Sequence, residues 1–427
     1  MNRTFNETSL RILVQGGSYE LDNLGDVSML EALVERITSA QPEARIALFS
    51  RNATQARRIL PDIELLPVEG KRQWRLVHDG YLQLRRALPI VDTSFRFLLP
   101  RIYEKLLHIK ARQLVNRQEI QSADLLLLSG GGYITDVFPG QAWSALERLD
   151  AAVNEGIPFA LFGQGIGPLR DRSLIAAARR ILPRAKMIAV REKLVSVPLL
   201  EELGVRSERI VVTGDDSVEA AYRARKVELG NFVGVNFRVA GYTGMTTSDV
   251  DAIRPPLHRA VKRIGSELKA LPVCIVDSVE SASDATIAAR LLGSADGHNV
   301  PGTSEELIGS VGACRMIVTG SYHAGVFALS QGIPAVCVFN CEYYEVKFRG
   351  LAAQFGTGCV VLDKSSDDFD ARLVDAVSDA WENAERWRPA LLDAAQGQVD
   401  AARQAYDHLW EITDRRAGAP ALSAITE

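Results

Sequence analysis

Short apolar runs without internal alternation recur along this chain, and most are followed by a stretch with helical spacing. In the first half they fall at residues 11–15, 44–49, 125–128, 159–162, 187–190 and 210–212. Helical patterns lie at about 26–39, 141–155 and 173–182; in the first, Met29, Leu30, Leu33, Val34 and Ile37 share one face. Runs that are apolar at every position mark strands covered on both faces, the condition of a parallel sheet between two helix layers. After a polar stretch at 222–230 the pattern restarts, with strands at 232–237, 273–276, 316–319 and 335–339. Helices are expected at about 255–271, twice between 276 and 316, at 322–331, and over 367–415. The expected fold class is α/β: two doubly wound Rossmann-like domains, residues 1–226 and 227–427, the second ending in C-terminal helices.

The 427 residues suit two domains at about 150 residues each plus an insertion. Lys and Arg number 49 against 53 Asp and Glu, a net charge of −4, which argues against a nucleic-acid partner for the chain as a whole. No run approaches the roughly 18 apolar residues of a membrane span, and residues 1–7 lack the apolar core of a signal peptide. The five cysteines include no Cys-x-x-Cys pair, so neither a zinc site nor a disulfide framework is expected. A cytoplasmic protein without metal or cofactor is the expectation. One segment departs from the alternation: eleven Lys/Arg and three acids lie between Lys71 and Arg117, among Trp74, Tyr81, Phe95, Phe97 and Tyr103. It reads as a helical insertion, about 71–118. Its aromatics either pack on the first domain or give residues 71–117 a face for an anionic membrane surface.

In parallel α/β sheets, ligands bind beyond the carboxyl ends of the strands, where loops feed helix N-termini. After the first strand come Gly16, Gly17 and the Asn23-Leu24-Gly25-Asp26 loop, with Asn23 and Asp26 as candidate caps. It matches neither a Walker loop nor a dinucleotide fingerprint. Gly130-Gly131-Gly132 follows the third strand, and Gly163-Gln164-Gly165-Ile166-Gly167-Pro168 follows the fourth, both read as turns offering unhindered N–H groups. Arg191-Glu192 follows the fifth, where the arginine is either a fork for phosphate or carboxylate, or half of a salt bridge. Thr213-Gly214-Asp215-Asp216-Ser217 brings two acids to the same edge. In the second half, Gly320-Ser321-Tyr322-His323 opens a helix, placing His323 in its first turn. There the dipole favours the neutral ring and leaves it able to exchange protons near neutral pH. Glu345 and Lys347 reach the same side; His78, His108, His258, His298 and His408 have no such setting.

Taken in order, these motifs resemble the polysaccharide pyruvyl transferase family. The Asn23–Asp26 loop, the glycines at 130–132, the 163–168 block, Arg191-Glu192 with Leu203-Gly204-Val205, the stretch from Ser321 to Pro334, and Lys347 with Gly350-Leu351 carry the likeness over about residues 11–362. The resemblance implies two Rossmann-like domains in a GT-B-like arrangement with an interdomain cleft. It implies transfer of pyruvate from phosphoenolpyruvate, a donor substrate and not a cofactor, to hydroxyls of a sugar or lipid-linked saccharide, with phosphate released. It implies His323, Arg191 and Lys347 as the catalytic set. Gly17, Asn23, Asp26, Gly130, Gly131, Gly132, Gln164, Gly165, Ser321, Tyr322 and Glu345 are the expected substrate-binding positions. Where the family usually has Arg-Leu-His this chain has Ser321-Tyr322-His323, so either another cation replaces that arginine or the donor differs. A nucleotide-sugar glycosyltransferase and a non-catalytic binding member of the family are the alternatives, and an oligomer is compatible with either.

Overall fold

The computed structural model describes residues 9–68, 117–274, 283–293 and 300–417, so the expected basic insertion, about 71–118, lies outside the described residues except for its last two positions. The first sheet contains β1 (Arg11–Gln15), β2 (Arg45–Ser50), β3 (Glu64–Pro67), β4 (Leu125–Leu128), β5 (Gly131–Ile134), β6 (Phe159–Ile166), β7 (Ile188–Val190) and β8 (Ile210–Val212). Its order is β3-β2-β1-β4-β6-β7-β8, with β5 pairing β6, and every pair is parallel. The second sheet contains β9 (Phe232–Asn236), β10 (Glu267–Ala270), β11 (Cys314–Thr319), β12 (Ala335–Phe339) and β13 (Cys359–Asp363) in the order β10-β9-β11-β12-β13, again all parallel. Both faces of each sheet are covered by helices, as the unbroken apolar runs require: Leu13, Leu126 and Leu161 face one core cluster, and Ile12, Leu125 and Phe162 face another.

Several boundaries differ from the sequence reading, each for a local reason. Gly131–Ile134 is a short strand and Gly163–Ile166 continues β6, so neither glycine block is simply a turn. The second-domain helix expected from 255 runs instead over Thr247–Arg263, because Thr246 and Asp249 form a reciprocal capping box at its start. Pro255 and Pro256 then fall mid-helix, Pro255 exposed and Pro256 buried, each removing one N–H from the helix ladder. The strand expected at 273–276 lies earlier, at Glu267–Ala270. Val273 and Cys274 instead meet the first domain, through Leu24 N–H donating to Val273 O at 3.0 Å and an antiparallel bridge between Asn23 and Cys274.

The last helix, Phe369–Ala417, corrects the simple division at residue 227. Its first part packs in the second domain through Leu373, Val377 and Ala380. Its last turns return to the first domain, where Tyr406, Leu409 and Trp410 join the cluster around Ile12 and Val14, and Tyr406 stacks on Phe162 at 3.9 Å. The helix thus straps the two sheets together. Leu409 is fully buried, so Leu409→Ala is expected to cost about 2–5 kcal/mol and to lower the melting temperature of the first domain. An unchanged calorimetric melt would show that the strap adds nothing to that core.

Candidate functional site

The carboxyl ends of β1, β4, β6, β7 and β8 face the N-terminal turn of the helix Tyr322–Ser330 and one face of the helix Glu342–Phe355. A polar cluster fills this junction. Arg191, at the end of β7 and 3% exposed, donates its Nε–H to Gly163 O at 2.8 Å and lies 2.9 Å from Asp215 Oδ2. Its other flank touches Met29 Sδ at 2.8 Å and the Tyr322 ring, 4.9 Å from the centroid. Asp215, not Glu192, is therefore the arginine's acidic partner. Glu192 accepts from the backbone N–H groups of Leu194, Val195 and Ser196 and caps the next helix.

Asp215 Oδ1 accepts from the N–H and the hydroxyl of Ser217, while Oδ2 also lies 3.8 Å from His323 Nε2. Burial alone would raise the Asp215 carboxyl, but Arg191 and then His323 pull it below its ordinary value. The neighbouring Asp216 makes no ion pair among the described residues. Burial, then the charge of Asp215, lifts it to about 7 against the opposing pull of Arg36, Arg191 and the nearby Tyr406 hydroxyl, and among the described residues neither of its oxygens has a well-formed hydrogen bond.

His323 reaches across from the second domain. Ser321 occupies the N-cap position without capping through its side chain, and Thr319 Oγ1 accepts its N–H at 2.9 Å. The imidazole packs over Gly25 so closely that a Cβ there would fall 2.0 Å from His323 Cγ. Burial, and after Asp215's opposing charge the cations Arg191 and Lys347, push His323 down to about 3, so it is neutral. Its buried Nε2 has no hydrogen-bond partner among the described residues. The sequence-based expectation of a ring exchanging protons near neutrality is corrected here, since that expectation counted the dipole and not desolvation. Lys347 and Asp26 have the near-neutral values instead: burial lowers Lys347 to about 7 and raises Asp26 to about 6.

Lys347 Nζ lies 4.2 Å from the Tyr343 ring centroid and 5.5 Å from that of Tyr322. The hydroxyl of Tyr343 donates to Gly132 O at 2.8 Å, and a Cβ on Gly132 would meet Lys347 Cε at 2.9 Å. Gly17 is held by a similar closeness, its Cβ position being 2.8 Å from Gly130 O. Gly130 faces Met29, Gly131 backs onto Tyr133, and Gly165 lies beside Gly132 and Arg191.

The expected residues therefore divide. Arg191, Lys347, His323, Tyr322, Asp26 and the glycines at 17, 130, 131, 132 and 165 meet at the junction, with Ser321 at the turn that carries His323. Asn23 is occupied as the N-cap of the first helix, accepting from Gly25 and Asp26 N–H. Gln164 is buried beneath the cluster, donating to Ser129 O, Phe162 O and Tyr133 Oη with its Oε1 unpartnered. Glu345 is turned away, in a half-exposed pair with Arg349 at 2.8 Å. The sequence reading did not single out Tyr343 and left Asp215 among its edge acids. Tyr343 precedes Lys347 by four residues and so shares its helix face. No grouping of three metal-ligating side chains occurs among the described residues.

Two parallel Rossmann-like sheets clasping a buried charged cluster define a GT-B-like α/β protein. The chain belongs to the polysaccharide pyruvyl transferase family, whose sequence model matches residues 23–341. No curated protein sequence matches it significantly. Similar solved structures include UDP-GlcNAc 2-epimerase from Neisseria meningitidis bound to UDP-GlcNAc, at 13% identity and TM-score 0.54 over 94% of this chain and 100% of that one. MnaA of S. aureus with UDP is 14% identical, TM-score 0.55, over 96% and 99%. The 2-epimerase of Methanocaldococcus jannaschii is 11% identical, TM-score 0.54, over 93% and 100%. At such identities the likeness is one of fold.

Asp216 yields a sign that can be tested. Its folded value near 7 stands above the ordinary 3.8, so between these values the folded chain holds a proton that the unfolded chain has lost. Stability from this group is therefore present below about pH 4 and is lost as pH rises through 7. Asp216→Asn is expected to melt above the parent at pH 8 and to converge with it near pH 4. A variant melting below the parent at pH 8 would mean that the carboxylate is stabilised by partners.

Proposed function

We propose that the protein transfers the pyruvyl group of phosphoenolpyruvate to hydroxyls of a sugar or polysaccharide precursor. The observation that carries this reading is the placement of two cations, Arg191 and Lys347, around the unpartnered Nε2 of a neutral histidine at a domain junction. A donor bearing both a carboxylate and a phosphate needs cations. Addition of an alcohol to its enol carbon needs a base for the hydroxyl and a proton for the methylene carbon.

In the proposed reaction the acceptor oxygen bonds to the enol carbon while a proton adds to the methylene carbon, making a methyl group. Phosphate then leaves with the electrons of its C–O bond, and a second hydroxyl closes the ketal, losing its proton. His323 takes up the hydroxyl proton and delivers it to the methylene carbon, and the proton of the second hydroxyl leaves with the phosphate. A trianionic donor beside it opposes the desolvation that holds the ring neutral, and so raises its basicity at the moment of use. Arg191, fixed by Gly163 and Asp215, binds the donor by its remaining donors, and Lys347 supplies the second positive charge. Lys347 packs against Tyr322, the residue after Ser321, and so answers for the arginine that the family usually carries at 321. The lipid-linked form of the acceptor, a cytoplasmic location and docking through 71–117 belong to this proposal; no helix among the described residues is long and apolar enough to cross a membrane. The serine at 321, together with the UDP and the UDP-GlcNAc bound in two structural neighbours, keeps a nucleotide-sugar donor as the second reading.

The test is phosphate release from phosphoenolpyruvate in the presence of a panel of saccharide acceptors. Acceptor-dependent release is expected, and His323→Ala should reduce it by roughly 10²–10⁴-fold with the fold intact. His258→Ala, whose ring bonds Leu291 O on the far side of the second domain, should be nearly silent. Release that is absent with every acceptor, or untouched in His323→Ala, would sink the proposal.

A further inference from the structure

Five arginines, Arg179, Arg180, Arg184, Arg206 and Arg209, surround an open depression of about 640 Å³ on the first domain. They come from two successive helix-to-strand connections, those entering β7 and β8. The depression therefore lies at the amino end of the sheet, opposite the junction that holds His323. It is independent of the reading given above.

The depression is built and not merely charged. Arg209 donates to Pro183 O at 2.8 Å and Ala185 O at 3.1 Å, tying one connection to the other. Arg180 pairs with Asp150, and Arg206 with Glu208. Arg179 and Arg184 have no carboxylate partner among the described residues, so five cations meet two acids. A helix C-terminus carries only about half a negative charge. Compensating the dipole of the helix Arg172–Ile181 accounts for one arginine at most.

The rest of the lining narrows the chemistry. Only Pro183 and Gly204 accompany the arginines, so there is no aromatic ring on which a base or sugar could stack. The planar forks suit phosphate oxygens in pairs, and the volume exceeds what one phosphate fills. We propose that this depression binds a di- or oligophosphate group, recognised by its charge and oxygen geometry alone, whether free in solution or carried on a lipid.

Isothermal titration of the full chain with tripolyphosphate tests this, with sodium chloride at matched ionic strength as the control. Saturable binding is expected, weakened at least tenfold in Arg179→Ala/Arg184→Ala and weakened further as salt rises. Both side chains are exposed and remote from the junction, so the variant should fold and keep its basal activity. Vesicles containing diacylglycerol diphosphate separate the sources. Sedimentation lost in the double variant supports a lipid-borne phosphate, and tripolyphosphate binding without sedimentation supports a free one. No saturable binding at millimolar tripolyphosphate, or equal binding by the double variant, would overturn the proposal.

Discussion

Arg191 and Asp215 leave the ends of neighbouring strands β7 and β8 and meet at 2.9 Å where almost no water reaches them. Two charges so placed must be paired and hydrogen-bonded, because an uncompensated buried charge costs several kcal/mol. Gly163 O and Met29 take up the arginine and Ser217 bonds Asp215 Oδ1 within the first domain, while Asp215 Oδ2 has its ionic contact with Arg191 and no hydrogen bond among the described residues. The remaining reach of Asp215 Oδ2 is toward His323, on the other domain, at 3.8 Å. The pair therefore fixes more than itself. It orients the arginine, holds the acid ionised, and places a negative charge under the imidazole.

Closeness between the domains is set by absent side chains. Gly25 lets the His323 ring lie on the first helix, Gly132 lets Lys347 and Tyr343 approach β5, and Gly350 admits Glu192. These are steric seats: of the two uses the sequence allows for glycines 130–132, an anion or a tight contact between domains, Gly132 serves the contact. The last helix closes the arrangement by packing first on one sheet and then on the other.

Much of this was legible in the sequence. Unbroken apolar runs such as 125–128 announced parallel strands, and the rule that ligands meet the carboxyl ends of strands picked out Gly17, Arg191 and His323. What escaped it depends on contacts between distant segments. Nothing local distinguishes Asn23 as a cap from Asn23 as a ligand, or shows that Glu345 turns to Arg349 while Lys347, two residues on, turns inward. The neutral ring of His323 was legible from its place at a helix N-terminus, but not how far it is shifted, because burial beside two cations depends on both domains being in place. The return of the last helix to the first domain was hidden for the same reason. Its apolar spacing is continuous, and periodicity does not say which sheet each turn meets.

The site is held between charge states. Lys347 near 7 and Asp26 near 6 are both poised close to neutrality, and His323 is neutral for lack of solvation. An anionic donor entering between them must shift all three toward protonation, since opposite charge favours the cation and like charge disfavours the carboxylate. Donor binding and proton uptake are therefore one event in this account. Calorimetric titration of phosphoenolpyruvate at pH 7.5, repeated in buffers of different ionisation enthalpy, measures that coupling directly. The account predicts saturable binding with net proton uptake, reduced when Lys347 is replaced by the permanently charged arginine. Binding without proton uptake, or protection by a uridine nucleotide-sugar with no response to phosphoenolpyruvate, would contradict it.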